Sequence, residues 1–244
     1  MSRRRILLDA GNSNVKWAVI ENALWHASGR SDYADWTALT AQLRGGGDCF
    51  IASVAGAAHE QRLAALLDEA GIKPVWLTAE AEFGDLKNTY LNPRQLGVDR
   101  WMALIAARQR TRDAVLVVSV GTAMTVDALS AAGMFLGGVI VPGVRLMRQA
   151  LQQGTARVES ATGDWHAFPR TTADAVQSGI VAALCGAIAQ QHARLAELTG
   201  TGPRCLLTGG DAEKVLSHLR MPAERVPALV LEGIDCVARG LISS

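Results

Sequence analysis

The sequence predicts an α/β protein built from two similar halves, each containing a mixed β-sheet. Short apolar runs typical of buried strands alternate with segments of helical spacing along the chain. A strand, a Gly-polar turn and a second strand also occur near the start and again about 110 residues later, which is a weak internal repeat. We therefore expect two domains, residues 1–112 and 113–244. In the repeat, Gly11 aligns with Gly121, Asp9 with Ser119, and Asn12 with Thr122.

Composition excludes several classes of protein. The chain has 244 residues, of which 49% are apolar and 19% charged, so each half can bury a core. Its formal net charge of +1 argues against a nucleic-acid or anionic-membrane partner. We see no apolar run of membrane-spanning length and expect a cytoplasmic protein. The four cysteines are scattered among apolar neighbours, which predicts buried free thiols. The five histidines show no ligand spacing, which argues against a histidine-based metal cluster.

The first half opens with a strand–turn–strand pattern that can bind phosphate. The apolar run before Asp9 ends in this carboxylate, a polar turn follows from Gly11, and apolar residues resume after Lys16. Asp9 is able to hold a hard cation, and Lys16 to place a positive charge near phosphate. An ordinary polar hairpin turn explains the same residues equally well, because the motif is short.

The rest of the first half alternates strands with helices. Apolar residues three to four positions apart predict the helices, and glycines end the first two. Asp99 stands near the start of the third helix, where an isolated Asp is most simply a cap. The predicted helices are Asp35–Leu43, His59–Ala70 and Trp101–Arg110, and the predicted strands are Cys49–Val54 and Val75–Leu77.

The second half repeats this alternation and adds a long apolar helix. Asp211 is expected to cap a short helix after the turn Thr208-Gly209-Gly210. Residues Gly154–Pro169 are predicted to form a loop. The predicted strands are the two within Ala114–Leu129, then Met134–Val141, Arg204–Leu207 and Val226–Val230; the predicted helices are Val144–Gln153, Thr172–Leu198 and Leu231–Leu241.

Together these motifs resemble those of type III pantothenate kinases, in the actin, Hsp70 and sugar kinase superfamily. The resemblance implies two ribonuclease H-like domains, with mixed sheets flanked by helices, in an actin-like ATPase architecture. It also implies transfer of the ATP γ-phosphate to the terminal hydroxyl of pantothenate, giving 4′-phosphopantothenate, the first step of coenzyme A biosynthesis. The motifs are Asp9-x-Gly11-Asn12-Ser13-x-x-Lys16, Asn88-x-Tyr90-x-x-Pro93-x-x-Leu96-Gly97-x-Asp99-Arg100, Gly121-Thr122-Ala123-x-Thr125-x-Asp127, Gly137-Gly138-x-Ile140-x-Pro142-Gly143 and Thr208-Gly209-Gly210-Asp211.

The resemblance assigns a role to each site residue. Asp99 would accept the proton of the hydroxyl, and Asp9 would hold Mg²⁺. Arg100 suits a carboxylate, because a guanidinium makes two parallel charge-assisted hydrogen bonds. The ATP and phosphate site would comprise Asp9, Ala10, Gly11, Asn12, Ser13, Asn14, Val15, Lys16 and Thr122. The pantothenate site would comprise Tyr90, Gly97, Val98, Asp99, Arg100 and Thr172.

The sequence departs from the family pattern at Ser119. Family members usually have an acidic residue two positions before the Gly-Thr-Ala motif, where it helps to bind K⁺ or NH₄⁺. A hydroxyl lacks that negative charge, so Ser119 puts the monovalent-cation site in doubt.

The resemblance also implies a homodimer whose pantothenate pocket is bounded by both chains. The helix predicted at Thr172–Leu198 carries an apolar stripe at Val176, Ile180, Leu184 and Ile188, with alanines on its other faces. Burial on more than one side would suit either a dimer or a fully internal helix in a monomer. Two other functions are considered: a non-catalytic nucleotide-binding regulatory protein on this fold, and a kinase of another small hydroxyl compound such as a sugar.

Overall fold

The computed structural model describes residues 4–155, 158 and 162–243, which form two compact units. The first unit comprises Met1–Arg110 together with Ala228–Ser244, and the second comprises Thr111–Pro227. The expected domain boundary, after residue 112, lies within two residues of the boundary between the two units, after Arg110. The expected second domain is nevertheless corrected at its end, since residues 228–244 group with the first unit. Of the predicted loop Gly154–Pro169, residues 156–157 and 159–161 lie outside the described residues.

The sheet of the first unit places the polar turn at the end of a central strand. Its strand order is β3-β2-β1-β4-β5; β1 pairs antiparallel with β2 and parallel with β4. β1 and the middle of β2 are buried, as their apolar runs predict. The strands of this sheet are β1 (Arg5–Ala10), β2 (Asn14–Glu21), β3 (Leu24–Asp32), β4 (Asp48–Ser53) and β5 (Pro74–Trp76). The antiparallel hairpin of β6 (Glu82–Phe83) and β7 (Leu86–Asn88) is not part of it.

Three predicted helices of the first unit are present, and the closing helix joins them. They are α1 (Thr37–Leu43), α2 (Ala57–Glu69), α3 (Val98–Arg110) and α7 (Leu229–Ser243). A Cβ at Gly233 of α7 would lie 1.9 Å from the carbonyl oxygen of Met102 in α3. Asp235 of α7 also pairs at 2.9 Å with Arg5 of β1, in a buried salt bridge. This close packing is the physical reason that the C-terminal helix belongs to the first unit.

The second unit repeats the strand order of the first. Its five strands run in the order β12-β11-β8-β9-β10, with β8 antiparallel to β9 and parallel to β11. Read from β10, this is the same sequence of neighbours as in the first sheet, so the internal repeat is structural. The strands are β8 (Val115–Val120), β9 (Ala123–Leu129), β10 (Met134–Pro142), β11 (Arg204–Thr208) and β12 (Glu224–Arg225).

The helices of the second unit are α4 (Val144–Gly154), α5 (Thr172–Thr199) and α6 (Ala212–Leu216). Among the described residues one helix, α5, has the length and apolar composition to cross a membrane. This corrects the expectation that no apolar run is long enough. Ile180, Leu184 and Ile188 of α5 belong to the unit's hydrophobic core. Because core helices satisfy the same criteria, α5 is weak evidence for a membrane span.

Two local predictions near the C-terminus are wrong. The strand expected at Val226–Val230 is instead a short segment followed by α7, which begins at Leu229. Pro227 has no N–H for a ladder, and a short apolar run does not distinguish a strand from a buried helix. Asp211 occupies the N-cap position of α6 without a side-chain cap. Its carboxylate lies 2.8 Å from Nζ of Lys214 instead.

Candidate active site

The turn after β1 brings a carboxylate and an ammonium group together. Asp9, only 5% exposed, lies directly opposite Lys16 in the hairpin register, and Oδ2 of Asp9 is 3.3 Å from Nζ of Lys16. The backbone N–H of Gly11 donates to the carbonyl of Asn14 at 3.0 Å and closes the turn. Asn12 and Ser13 at the tip are exposed. The turn thus presents backbone and polar groups to solvent beside a fixed carboxylate.

Neighbouring elements hold the carbonyl groups of this turn. The N–H of Val54, just after β4, donates to the carbonyl of Ala10 at 2.9 Å. The hydroxyl of Tyr33, just after β3, donates to the carbonyl of Gly11 at 2.6 Å. The side chains of Ala10 and Val15 lie in the hydrophobic core. At these two positions only the backbone is available to a phosphate.

Sequence reasoning missed Tyr33. It follows β3, a strand that the sequence analysis did not predict, so nothing connected it with Gly11. Its ring stacks on His59 with a centroid separation of 3.7 Å. Burial, followed by the nearby carboxylates of Asp9 and Glu60, raises the pKa of Tyr33 to about 12. The hydroxyl therefore keeps its proton, and its role as donor, at physiological pH. No signal in the sequence locates it, because the pairing of Asp32 with Asn14, which brings Tyr33 to the turn, is decided by the fold.

The start of α3 positions the predicted catalytic carboxylate. Asp99 lies in the first turn, and its Oδ1 accepts a hydrogen bond from the N–H of Arg100 at 2.8 Å. A Cβ at Gly97 would lie 2.7 Å from this same oxygen. Glycine at position 97 therefore leaves the room that the carboxylate occupies. The side chain of Val98, 7% exposed, packs in the core instead of facing a ligand.

Arg100 and Tyr90 form a paired recognition group. Nη1 of Arg100 donates to the hydroxyl of Tyr90 at 3.0 Å, and the guanidinium carbon lies 5.7 Å from the Tyr90 ring centroid. Arg100 is 6% exposed. Asn88 holds the loop that carries Tyr90. Its Oδ1 accepts a hydrogen bond from the N–H of Tyr90, and its Nδ2 donates one to the carbonyl of Pro93.

Within the first unit, Val54 contacts both the turn at residues 9–16, predicted to bind phosphate, and the segment around Gly97, predicted to bind the acceptor. Besides its hydrogen bond to Ala10, its Cγ1 lies 3.8 Å from where a Cβ at Gly97 would stand. The carboxyl ends of β1 and β4 thus lie beside the start of α3. The predicted site residues within 9–16 and 90–100 therefore lie close together in this unit.

In the second unit, three glycine turns converge at the end of β8. The N–H of Gly143 donates to the carbonyl of Thr122 at 2.9 Å, and that of Gly121 to Ala123 at 3.0 Å. A Cβ at Gly143 would lie 2.1 Å from the Gly121 oxygen, and one at Gly209 2.2 Å from the Val120 oxygen. Only glycine permits these approaches. Thr122 therefore sits in a tightly specified turn that corresponds to the one at Asn12.

Ser119 lies in a row of hydroxyl groups across the second sheet. It pairs with Thr125 of β9 and with Thr208 of β11, and directly paired residues share a face of the sheet. In the part of the chain that the structure describes, the buried Oγ1 of Thr125 has no hydrogen-bond partner. Asp127, fully buried, lies two residues along β9 on this face.

Thr172 is the first residue of α5 and is exposed. The preceding Thr171 caps the helix, with its Oγ1 accepting from the N–H of Asp174 at 3.2 Å. A hydrogen bond from the Thr171 side chain to the Asp174 carboxyl, followed by one from the N–H of Asp164, lowers the pKa of that carboxyl. The segment around Asp164 is thereby attached to the start of α5, next to Thr172.

The side chains that are available as ligands limit which metal ion could bind. Among residues 4–155, 158 and 162–243, no group of three or more His, Cys, Asp and Glu side chains is able to hold a metal ion. A single carboxylate such as Asp9 fits Mg²⁺ that is shared with substrate phosphates, which is how this ion is usually held.

Comparison with known proteins identifies relatives across almost the whole chain. The family model for type III pantothenate kinase matches residues 5–194. A type III pantothenate kinase of Thiobacillus denitrificans is 62% identical over 239 residues, covering 98% of each chain. One of Aromatoleum aromaticum is 45% identical over 244 residues, covering 96% of this chain and 97% of the relative.

Two solved structures share the fold at low sequence identity. A Campylobacter jejuni protein, provisionally described as a Baf family transcriptional activator, has a TM-score of 0.62 at 19% identity and covers 98% of this chain and 100% of its own. A Sinorhizobium meliloti protein, provisionally described as a 2-dehydro-3-deoxygalactonokinase, has a TM-score of 0.59 at 15% identity and covers 97% and 99%. The expected fold class, mixed α/β with two sheets flanked by helices, is confirmed.

Proposed function

The chain belongs to the type III pantothenate kinase family, and we infer that it transfers the γ-phosphate of ATP to the terminal hydroxyl of pantothenate. It is an enzyme of coenzyme A biosynthesis, and a non-catalytic regulatory role is not favoured. The observation that carries the assignment of the site is the group formed by Gly97, Asp99, Arg100 and Tyr90 at the start of α3.

Arg100 and Tyr90 recognise the acceptor in this proposal. The guanidinium of Arg100 is nearly buried, so its interaction with a carboxylate would be little screened by water. Tyr90 already accepts a hydrogen bond from Arg100 and holds the guanidinium in place. We assign the pantothenate carboxylate to Arg100, with Gly97, Thr172 and the backbone of Val98 as further parts of the substrate site.

Asp99 is proposed as the general base. The pantothenate hydroxyl oxygen forms a bond to the γ-phosphorus while the bond from this phosphorus to the bridging oxygen breaks, and ADP leaves. Asp99 accepts the hydroxyl proton. Its Oδ1 accepts a hydrogen bond from the N–H of Arg100 at 2.8 Å, which orients the carboxylate for this proton transfer.

The two glycine turns are proposed to bind the phosphates of ATP. Residues 9–16 supply backbone groups, the exposed Asn12 and Ser13, and the ammonium of Lys16, while Thr122 supplies a hydroxyl in the second unit. Such turns form anion-binding concavities. Mg²⁺, held by Asp9, would neutralise charge on the transferring phosphoryl group.

The monovalent-cation requirement is proposed to be weak. Ser119 and Thr125 offer hydroxyl oxygens, and the Oγ1 of Thr125, which has no partner among the described residues, is able to coordinate K⁺ or accept a hydrogen bond from NH₄⁺. Hydroxyl groups carry no charge, however, and the usual acidic residue is replaced by Ser119.

A homodimer is proposed to form through α5. Only 28% of its most apolar window is buried within the chain. One exposed face carries small residues, Gly179, Ala182, Ala183, Gly186 and Ala189, beside a cavity of about 430 Å³. A self-complementary face of this kind suits a two-fold partner. We further propose a cytoplasmic location without a nucleic-acid or membrane partner, which the net charge of +1 supports.

Substrate specificity is the direct test of the proposed function. We expect the purified protein with Mg²⁺ and ATP to phosphorylate pantothenate, and not a panel of hexoses and sugar acids, as detected by product mass. Phosphorylation of a sugar in preference to pantothenate would overturn the proposal. Nucleotide binding without any phosphoryl transfer would instead support the regulatory alternative.

A further inference from the structure

We propose that Tyr33 is a positioning residue that sets the orientation of the Gly11–Asn12 peptide, and so directs the Asn12 N–H toward the phosphates of ATP. The inference rests on the proposed function of the turn at residues 9–16. It adds to that site a residue from outside every motif that the sequence analysis identified.

The geometry of one hydrogen bond carries the argument. The Tyr33 hydroxyl is 2.6 Å from the Gly11 carbonyl oxygen, and Tyr33 is 8% exposed. In a planar trans peptide the C=O and N–H bonds point in opposite directions. With the Gly11 carbonyl directed at the buried Tyr33, the N–H of Asn12 points the other way. Asn12 itself is exposed, so this N–H is presented on the open side of the turn.

The position of Tyr33 is itself fixed from two sides. Its ring stacks on His59 of α2 at 3.7 Å with an interplanar angle of 13°. It also directly follows β3, whose Asp32 pairs with Asn14 at the far end of the same turn. Both ends of the turn are thus tied to β3, through backbone pairing at Asn14 and through the Tyr33 hydroxyl at Gly11.

Loss of the hydroxyl would free the peptide to rotate. Gly11 has no Cβ, and among the described residues a Cβ built there would meet only the Asn14 oxygen, in ordinary contact at 3.5 Å, so little restricts rotation of the backbone here. A rotated peptide would direct a carbonyl oxygen at the phosphate in place of an N–H. The Tyr33 hydroxyl prevents this exchange of an attractive dipole for a repulsive one.

The test compares two tyrosine-to-phenylalanine variants of the full-length protein. Tyr33→Phe keeps the ring and its stack on His59 but removes the hydroxyl. We expect about a tenfold higher KM for ATP and a tenfold weaker Kd for Mg²⁺·ADP, with the KM for pantothenate unchanged. Tyr90→Phe, which loses a hydroxyl beside Arg100, should do the reverse and raise the KM for pantothenate alone.

A purely structural Tyr33 gives a different result. A lower melting temperature for Tyr33→Phe with unchanged KM for ATP and Kd for Mg²⁺·ADP would overturn the inference. If the variant does not fold, ¹⁵N-labelled wild-type protein decides. The Asn12 amide resonance should then shift on addition of Mg²⁺·ADP, and its failure to move would overturn the inference.

These outcomes are separable from those of the proposed function. Wild-type protein that binds Mg²⁺·ADP but does not phosphorylate pantothenate would refute the proposed reaction. The Tyr33 inference would still be decided by ADP binding. Wild-type protein that binds no nucleotide would refute both.

Discussion

Nζ of Lys16 lies 3.3 Å from Oδ2 of Asp9, directly across the first hairpin. The pair is partly shielded, because the Asp9 side chain is 7% and the Lys16 side chain 32% exposed. A divalent cation bound at Asp9 would compete with this ammonium, and a phosphate would attract it. The pair therefore places opposite charges where a metal–phosphate ligand would need both.

The first prediction concerns Asp9. In Asp9→Asn we expect Mg²⁺-dependent turnover to fall by about 10²-fold, because a neutral amide is a poor ligand for a hard cation. Turnover is measured over a Mg²⁺ titration at saturating ATP. Asp68→Asn, an exposed carboxylate on α2, is the control and should keep wild-type rates. Normal turnover with a normal Mg²⁺ titration in Asp9→Asn would exclude Asp9 as the metal ligand.

The second prediction concerns Asp99. Asp99→Asn keeps an oxygen that is able to accept from the N–H of Arg100, so the fold should persist. We expect kcat to fall by about 10²-fold or more, since an amide cannot take the hydroxyl proton. Binding of Mg²⁺·ADP, measured by calorimetry, should be unchanged. A kcat close to that of the wild type would rule out Asp99 as the base.

The third prediction concerns Ser119. The wild-type rate in K⁺ or NH₄⁺ should exceed that in Na⁺ only slightly, because no carboxylate stands at position 119. Ser119→Asp should strengthen the dependence by restoring a charge beside Thr125. Initial rates across the chloride salts at constant ionic strength measure both effects. Full K⁺ dependence of the wild type would show that other groups build the site.

The fourth prediction concerns assembly. Sedimentation equilibrium at micromolar concentration should give twice the chain mass of 25.8 kDa. Ala183→Glu places a charge on the exposed face of α5 and should shift the protein to monomer. Ala65→Glu, at an exposed alanine of α2, should remain dimeric. An active wild-type monomer would refute both the dimer and a pocket shared between two chains.

The fifth prediction compares two glycines of α7. Gly233→Ala should destabilise the protein by roughly 1–3 kcal/mol, because its Cβ would lie 1.9 Å from the Met102 carbonyl oxygen. At Gly240 an added Cβ has no atom of the described residues within 4 Å, so Gly240→Ala should stabilise the helix by about 0.5–1 kcal/mol. Urea unfolding measures both. Equal effects of the two changes would contradict the packing of α7 on α3.

The prediction of buried thiols is confirmed for Cys49 and Cys205, whereas Cys185 and Cys236 are half-buried. The apolar neighbours of Cys49 and Cys205 indicated buried thiols, and burial raises the pKa of each to about 12. Both residues lie in strands whose apolar runs were visible in the sequence, at β4 and β11. Local composition determines burial when a run is apolar throughout.

The sequence by itself determined the first hairpin, its carboxylate at Asp9, the presence of the helix after Gly97 and the family. The start of that helix was predicted at Trp101, and the structure places it at Val98. These features depend on residues close together in the chain, where periodicity and turn chemistry act directly. It also indicated that the glycine turn at Gly11 recurs at Gly121, because each turn connects two consecutive antiparallel strands.

Tertiary structure alone decided two things. α7 joined the first unit, although the chain reaches it through the second, because Gly233 fits against Met102 and Asp235 pairs with Arg5. Tyr33 reached Gly11 only through the pairing of β3 with β2. An apolar or polar pattern specifies that a face must be covered but not which distant segment covers it, since that choice depends on packing and hydrogen-bond geometry in three dimensions.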